Sequence, residues 1–266
     1  MRLTIRHQTA YRFDDPVSYG LQQLRKTPKS TRGQTVIEWE TKVEGGAKQV
    51  GFEDHHNNVV ELIGFDRDVV DVRITSEGVV DIADTAGVLG KHVGPSPLWL
   101  YQRPTTLTTA GQGVKALARG VRAAGAGLDQ LHALMNAVQD LVTYETGISH
   151  PDWTAERAIE EGRGVCQDHA HIFIATAREL GFPARYISGY LMLEDRTTQE
   201  AMHAWAEAFV PDLGWVGFDV SNRIAPDTRY VRVATGLDYT DAAPVTGSRI
   251  GGAGEALSVT LDVVQQ

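Results

Sequence analysis

The chain of 266 residues has a single cysteine, Cys166, which excludes an intrachain disulfide. A lone cysteine is compatible with the reducing cytosol. The sequence also lacks any stretch approaching the roughly 20 apolar residues that span a bilayer. Its first residues lack the apolar run, roughly 7 to 15 residues long, of a signal peptide. We therefore expect a cytoplasmic protein with no membrane partner.

Basic residues are in the minority. The chain has 25 Lys and Arg against 34 Asp and Glu, which gives a formal net charge of -9. Such an acidic chain is a poor candidate for nonspecific binding to nucleic acid or anionic lipid. A hydrophobic fraction of 42% and a charged fraction of 22% favour a globular chain over a disordered one.

The first hundred residues have the pattern of β-strands. In residues 1–13 the side chains of Leu3, Ile5, His7, Thr9 and Tyr11 share one face, which is typical of a half-buried strand. Further short strand-like runs, separated by polar turns, follow at residues 35–43, 59–63, 68–75 and 77–82. This pattern predicts an antiparallel, β-sandwich-like module over residues 1–100.

Residues 101–266 mix helices and strands. Apolar spacing predicts helices over 113–124 and 129–142, a short one over 155–161, and another from Cys166 to about Leu180 that stops at Gly181. Strand-like runs follow at 184–193, 201–210 and 215–220, and a turn at 211–214 predicts a hairpin between the last two. A final strand is predicted over 256–264.

Cys166 has the local setting of a nucleophile. It follows Gly164, which permits a tight turn, and it begins a predicted helix. Unpaired N–H groups and the positive end of the helix dipole stabilise a thiolate there, and the same N–H groups can bind an oxyanion. The alternative is a buried, inert thiol, which is a common state of free cysteine.

A nucleophilic thiol needs a base, and the base needs a partner that orients it. His203 lies on a predicted strand, and Asp219 lies on the strand after the turn. Antiparallel pairing can bring both side chains together, so that Asp219 fixes one imidazole nitrogen and the other faces the thiol. The alternatives are a structural histidine and a carboxylate at a strand end.

Four runs containing these residues closely resemble the bacterial transglutaminase-like family: residues 164–171 (GVCQDHAH), 175–189 (ATARELGFPARYISG), 203–207 (HAWAE) and 214–219 (GWVGFD). Residues 11–13 and 16–18 resemble the N-terminal region that often precedes that core. Residues 233–247 resemble its C-terminal segment. The resemblance therefore extends over nearly the whole chain.

The resemblance implies an α+β fold, with a papain-like, transglutaminase-like catalytic core in residues 101–266. It implies that Cys166 is the nucleophile, His203 the base and Asp219 its orienting partner. Two departures from the family stand out. Residues 219–222 read DVSN where relatives usually read DPTN, and residues 236–239 read GLDY where relatives often read GRDY. The first predicts an altered loop, and the second a changed substrate charge preference.

Four further residues are candidates for the oxyanion site or cleft: Tyr144, Gln167, Asp168 and Trp205. Tyr144 lies upstream, where related folds place an aromatic or amide side chain near the oxyanion. Gln167 and Asp168 lie in the first turn after Cys166, where Asp168 also suits the helix dipole without any catalytic role. Trp205, together with Trp215, is predicted to pack beside the cleft.

Several functions remain open. A thiol triad of this kind hydrolyses peptide or isopeptide bonds when water accepts the acyl group, and acts as a protein-glutamine amine transferase when an amine accepts it. We favour hydrolysis of a peptide or protein substrate, with no cofactor. A catalytically silent binding module is an alternative. A metal site built on Cys166, His169 and His171 is disfavoured, because the spacing of the two histidines points them to different helix faces. Oligomeric state cannot be read from the sequence.

Overall fold

Strand β1, Arg2–Leu24, organises one of two antiparallel sheets in the computed structural model, which describes residues 1–266. This first sheet has eight strands. Its other members are β2 (Gln34–Glu44), β3 (Gly46–Glu53), β4 (Val59–Phe65), β5 (Val69–Ile82), β10 (Thr198–Gln199), β14 (Val245–Gly251) and β15 (Ala256–Gln265).

The two halves of β1 have different neighbours. The first half pairs with β5 and β15, and the second half pairs with β4 and β14. Leu3, Ile5 and His7 alternate with more exposed residues and are buried, as the period-two pattern predicted. The tail of the chain thus completes the sheet that the N-terminal strands begin.

The second sheet joins four strands from residues 184–236 to one short strand from residues 88–90. Its order is β13 (Tyr230–Gly236), β9 (Ala184–Leu191), β11 (His203–Val210), β12 (Gly214–Phe218) and β6 (Val88–Gly90). The structure confirms the predicted hairpin, with Ala206 opposite Phe218 in the register of β11 and β12. A third, two-stranded parallel sheet joins β7 (Thr143–Tyr144) to β8 (Arg163–Gly164).

Five α-helices complete the fold. They are α1 (Gln112–Val121), α2 (Leu128–Leu141), α3 (Ala155–Glu161), α4 (Cys166–Glu179) and α5 (Tyr239–Ala242), and a 3-10 helix spans Leu98–Gln102. Thr154 caps α3, since its hydroxyl accepts from the Arg157 N–H. Just past α4, Gly181 has a φ of 94°, a conformation that favours glycine at a helix end.

Helix α4 packs closely on β11 because that strand presents three alanines to it. Ala204, Ala206 and Ala208 are buried in the main core, together with Phe173 and Ile174 of α4. The alternate residue Trp205 belongs instead to a small cluster on the other side of the sheet. Small side chains on one face of β11 therefore bring the start of α4 to the sheet that carries His203.

The structure confirms an α+β chain with a strand-rich N-terminal region. No helix in it is long and apolar enough to cross a membrane. The division near residue 100 stays a prediction.

The packing of the three β11 alanines against α4 gives a stability prediction. We expect Ala206→Leu to lower the free energy of unfolding by about 1–3 kcal/mol, because the added side chain has no space between β11 and α4. Ala116→Leu on the exposed face of α1 is the control and should change it by less than about 0.5 kcal/mol. Urea denaturation of both variants measures the difference, and equal midpoints would contradict the packing described.

Candidate active site

The start of α4 places Cys166 at a turn that only glycine permits. A Cβ added to Gly164 would lie 2.7 Å from the Asp168 Cβ. Val165 is extended, and its N–H donates to Asp168 Oδ2 at 2.8 Å. Asp168 is fully buried and fastens the turn back onto the helix. Cys166 itself is partly exposed, as a thiol that meets a substrate must be.

Asp168 and Gln167 hold the surroundings of Cys166 in place. Burial raises the pKa of Asp168, although the Val165 N–H opposes that rise. The Gln167 side chain donates to the Pro151 carbonyl at 3.1 Å, which ties the first turn of α4 to the loop before α3. Both contacts are with the protein's own backbone, so the structure gives these two residues a structural task.

His203 and Asp219 meet where β11 begins and β12 ends, at one end of these neighbouring strands of the second sheet. His203 begins β11, and Asp219 follows the last residue of β12. The register of the hairpin offsets the two by two positions, and the histidine reaches across to place Nε2 2.6 Å from Asp219 Oδ2. This contact leaves Nδ1 as the imidazole nitrogen free to face a thiol.

Asp219 is fully buried, and neighbouring donors stabilise its charge. The Tyr230 hydroxyl and the Asn222 side-chain amide each donate to Oδ2 at 2.7 Å. Burial alone would raise the pKa of Asp219, but His203 and these hydrogen bonds outweigh it and hold the pKa below its ordinary value. The carboxylate is therefore ionised while it contacts the histidine.

The imidazole of His203 carries the matching positive charge. Burial opposes its protonation, but the Asp219 carboxylate, with a smaller contribution from the Cys166 side chain, raises its pKa to about 10. The Trp205 ring stacks near the imidazole, with centroids 6.3 Å apart. A stacked ring limits the rotation of the imidazole and shields it from water. Trp205 thus lies beside His203 and is itself buried, and its place in a substrate cleft stays a prediction.

Tyr144 lies beside the candidate nucleophile. It pairs with Gly164, two residues before Cys166, through the parallel pairing of β7 and β8. Burial and the charges of Cys166 and Asp219 raise the pKa of Tyr144 to about 12. Its hydroxyl therefore stays protonated and can donate a hydrogen bond, as an oxyanion donor must.

Trp215 does not flank the site as predicted. It lies opposite Phe209, six positions along β11 from His203 and thus roughly 20 Å away at the rise of a strand. Its ring packs 3.8 Å from the Arg185 guanidinium carbon. The hairpin explains the error, because a short strand pair separates the tip near Trp215 from the open end that carries His203.

Sequence reasoning missed two contributions to the site. Tyr230 comes from β13, which is not a neighbour of β12 in the sheet, so no local pattern marked it. His169 was considered only as a metal ligand, yet its ring contacts Ser221 Oγ and the Val142 carbonyl, both at 2.9 Å. It thereby links α4 to the loop that follows Asp219. His171 instead accepts from the N–H of Tyr239 at 3.1 Å.

Two family models match the chain. The transglutaminase-like superfamily core matches residues 115–220, and the bacterial transglutaminase-like N-terminal region matches residues 3–81. The first match contains Cys166, His203 and Asp219. Together the two models extend over most of the chain.

Similar proteins match this chain over nearly its whole length. An uncharacterized protein of Mycobacterium leprae is 25% identical over 99% of both chains. One of Mycobacterium tuberculosis (strain H37Rv) is 26% identical over 92% of this chain and 87% of that protein. The structure of a Cytophaga hutchinsonii protein, named as a proposed cysteine protease, superposes with a TM-score of 0.77 at 20% identity. It covers 99% of this chain and 90% of that chain, which shows a shared fold.

The charged pair gives a testable property. We expect His203 to stay protonated through neutral pH, and its pKa to fall below the ordinary value in Asp219→Asn, because burial then acts without the opposing charge. Tyr230→Phe is the control, since it removes one hydrogen bond and keeps the carboxylate. Imidazole nitrogen shifts measured by NMR between pH 5 and 11 report both. A wild-type His203 that titrates near its ordinary value would contradict the ion pair.

Proposed function

We propose that this chain, which belongs to the transglutaminase-like superfamily, is a cysteine-dependent hydrolase of peptide or isopeptide amide bonds. The observation that carries the proposal is the 2.6 Å contact between His203 and a fully buried Asp219, beside a partly exposed Cys166 that begins a helix. His203 has the orienting carboxylate that a general base requires, and Cys166 lies near enough to contribute to the raised pKa of His203.

Acylation would begin with the Cys166 thiolate, stabilised by the His203 imidazolium and the N-terminus of α4. The sulfur attacks the substrate carbonyl carbon, and the carbonyl oxygen becomes an oxyanion. N–H groups at the start of α4 and the Tyr144 hydroxyl are the candidate donors to that oxyanion. The carbon–nitrogen bond then breaks, His203 gives its proton to the leaving amine, and the carbonyl carbon remains bound to sulfur as a thioester.

Deacylation would use the same groups in reverse. The now neutral His203 takes a proton from a water molecule that attacks the thioester carbonyl. The carbon–sulfur bond breaks, releasing a carboxylic acid and restoring the thiolate and imidazolium. Asp219, held by Tyr230 and Asn222, keeps the imidazole oriented through both steps.

The acyl acceptor decides between hydrolase and transferase. A primary amine that replaced water would make the enzyme a protein-glutamine amine transferase through the same thioester. We favour water because it is the default acceptor. We also propose a peptide or protein as the substrate class and the cytoplasm as the location, in keeping with the acidic chain and its one cysteine.

The proposed roles give a mutational prediction. We expect Cys166→Ala and His203→Ala to lower turnover of a peptide-library substrate by about 10³-fold or more, because each removes a member of a cooperating set. His150→Ala, which removes an exposed histidine paired with Asp152, is the matched control and should keep full activity. Thermal unfolding checks that all three variants stay folded. Turnover retained in folded Cys166→Ala would refute the nucleophile.

Product masses distinguish the two acceptors. We expect the library incubated with enzyme, with or without a primary amine such as 5-aminopentylbiotinamide, to yield the same hydrolysis products. Products that carry the mass of the amine, formed in preference to acids, would instead establish the transferase. If neither product forms with any member of a broad library, the chain is a silent binding module and the proposed activity fails.

A further inference from the structure

A cavity of about 410 Å³ is lined by residues of β1 and of the tail strands of the first sheet. Its volume falls in the range of small-molecule sites, roughly 300–1,000 Å³. Its lining includes the aromatic side chains Tyr11, Phe13 and Phe65, and Leu257 and Val259 of β15, the strand that pairs with the first half of β1. The cavity is therefore suited to an apolar or aromatic group.

The cavity adjoins the candidate active site. Ala201 and Met202 line it, and the next residue of the chain is His203. Tyr239 lines it as well, and its N–H donates to His171 on α4, the helix that Cys166 begins. The wall of the cavity therefore continues along the chain into His203.

Lys26 is the unusual member of the cavity wall. It has no solvent-exposed surface, and its amine donates to the Thr9 hydroxyl at 2.5 Å. No carboxylate of the chain forms an ion pair with it, although a buried amine without a counter-ion is costly. Burial lowers its pKa to about 7. An anion brought in by a ligand would supply the missing partner.

The other charged groups of the cavity are already paired or lie at the surface. Arg249 forms an ion pair with Glu255. Glu200 is exposed, which places its charge in water at the rim. His7 is buried, and burial together with Lys26 lowers its pKa well below the ordinary value, so it is neutral. Lys26 is thus the cavity's one buried group that can match an anion near neutral pH.

We propose that this cavity binds an apolar carboxylate, with the Lys26 ammonium as its counter-ion. We further propose that this carboxylate is part of the substrate of the adjoining thiol site, a step that rests on the proposed function. The apolar walls would hold the hydrocarbon portion, and the amine would select the carboxylate over a neutral group of the same shape. The cavity would then contribute a charge and shape preference that the triad lacks.

Binding is tested with two probes of nearly the same shape, of which one is anionic and one is neutral: 3-phenylpropionate and 3-phenylpropionamide. Calorimetry in the Cys166→Ala background, where no chemistry occurs, should show the carboxylate binding at least about tenfold more tightly. Lys26→Met should remove that preference, and Lys115→Met on the exposed face of α1 should keep it. Equal affinity for both probes, no binding of the carboxylate, or a preference kept in Lys26→Met would overturn the proposal.

Proton linkage gives a test that needs no substitution at Lys26. A carboxylate partner favours the charged amine, so binding at pH 8 should take up a proton, and affinity should fall as pH rises above about 7. Calorimetry in buffers of different ionisation enthalpy measures the uptake, and none at pH 8 would contradict the proposal. The titratable and charged groups that also line or contact this region are His7, Tyr11, Tyr190, Glu200, Tyr239, Arg249 and Glu255.

None of these neighbours explains a proton taken up at pH 8. His7 is already neutral there, and burial raises the pKa of Tyr11, Tyr190 and Tyr239 further above that pH.

Inhibition links the cavity to the reaction. In wild-type enzyme 3-phenylpropionate should raise KM with little change in kcat, and it should lose this effect in Lys26→Met.

The two proposals, the hydrolase activity and the carboxylate site, fail separately. If the protein binds the carboxylate but turns over no substrate, the proposed hydrolase activity is wrong and the proposed carboxylate site stands. If the protein turns over substrate but binds no carboxylate, only the proposed carboxylate site is wrong. Binding without inhibition rejects the assignment of the ligand to the substrate.

Discussion

The contact between the His203 imidazole and the Asp219 carboxylate is the interaction on which the site depends. An ionised carboxylate without solvent is costly unless its oxygens are hydrogen-bonded. Tyr230 and Asn222 meet that requirement, and the imidazolium supplies the opposite charge. Three separate parts of the chain, β11, the loop after β12, and β13, must therefore pack correctly before the pair can exist. Correct packing of these three parts is thus required both for the fold and for the proposed base at His203.

Helix α4 brings the remaining group to that pair. The alanines of β11 let the helix approach the sheet, while Asp168 closes its first turn and Gly164 permits the turn before it. His169 ties the helix to Ser221, two residues after Asp219. Contacts of α4 with β11 and with the loop after β12 thus position Cys166. None of these contacts uses the thiol, which stays free and partly exposed.

Local patterns in the sequence located many of the elements and selected the candidate residues of the site. Alternation located the first half of β1, helical spacing located α1, α2 and α4, and the motifs around His203 and Asp219 selected two residues that the structure brings into contact. The patterns did not predict β3, β6, β13 or β14. The catalytic roles of Cys166, His203 and Asp219 stay a proposal. Contacts between distant parts of the chain were not predictable. The pairing of β1 with β15 joins residues such as His7 and Leu261, and no local period records it. The role of Tyr230 and the burial of Lys26 are unpredictable for the same reason, since both depend on non-local packing.

The central claim is that His203, held by Asp219, makes Cys166 a reactive nucleophile. The rate of Cys166 alkylation by iodoacetamide at pH 7, followed by mass spectrometry in the wild type, in Asp219→Asn and in His203→Ala, tests it most directly. The account predicts rapid alkylation in the wild type and a rate at least about tenfold lower in both folded variants. Equal rates in all three proteins would contradict it.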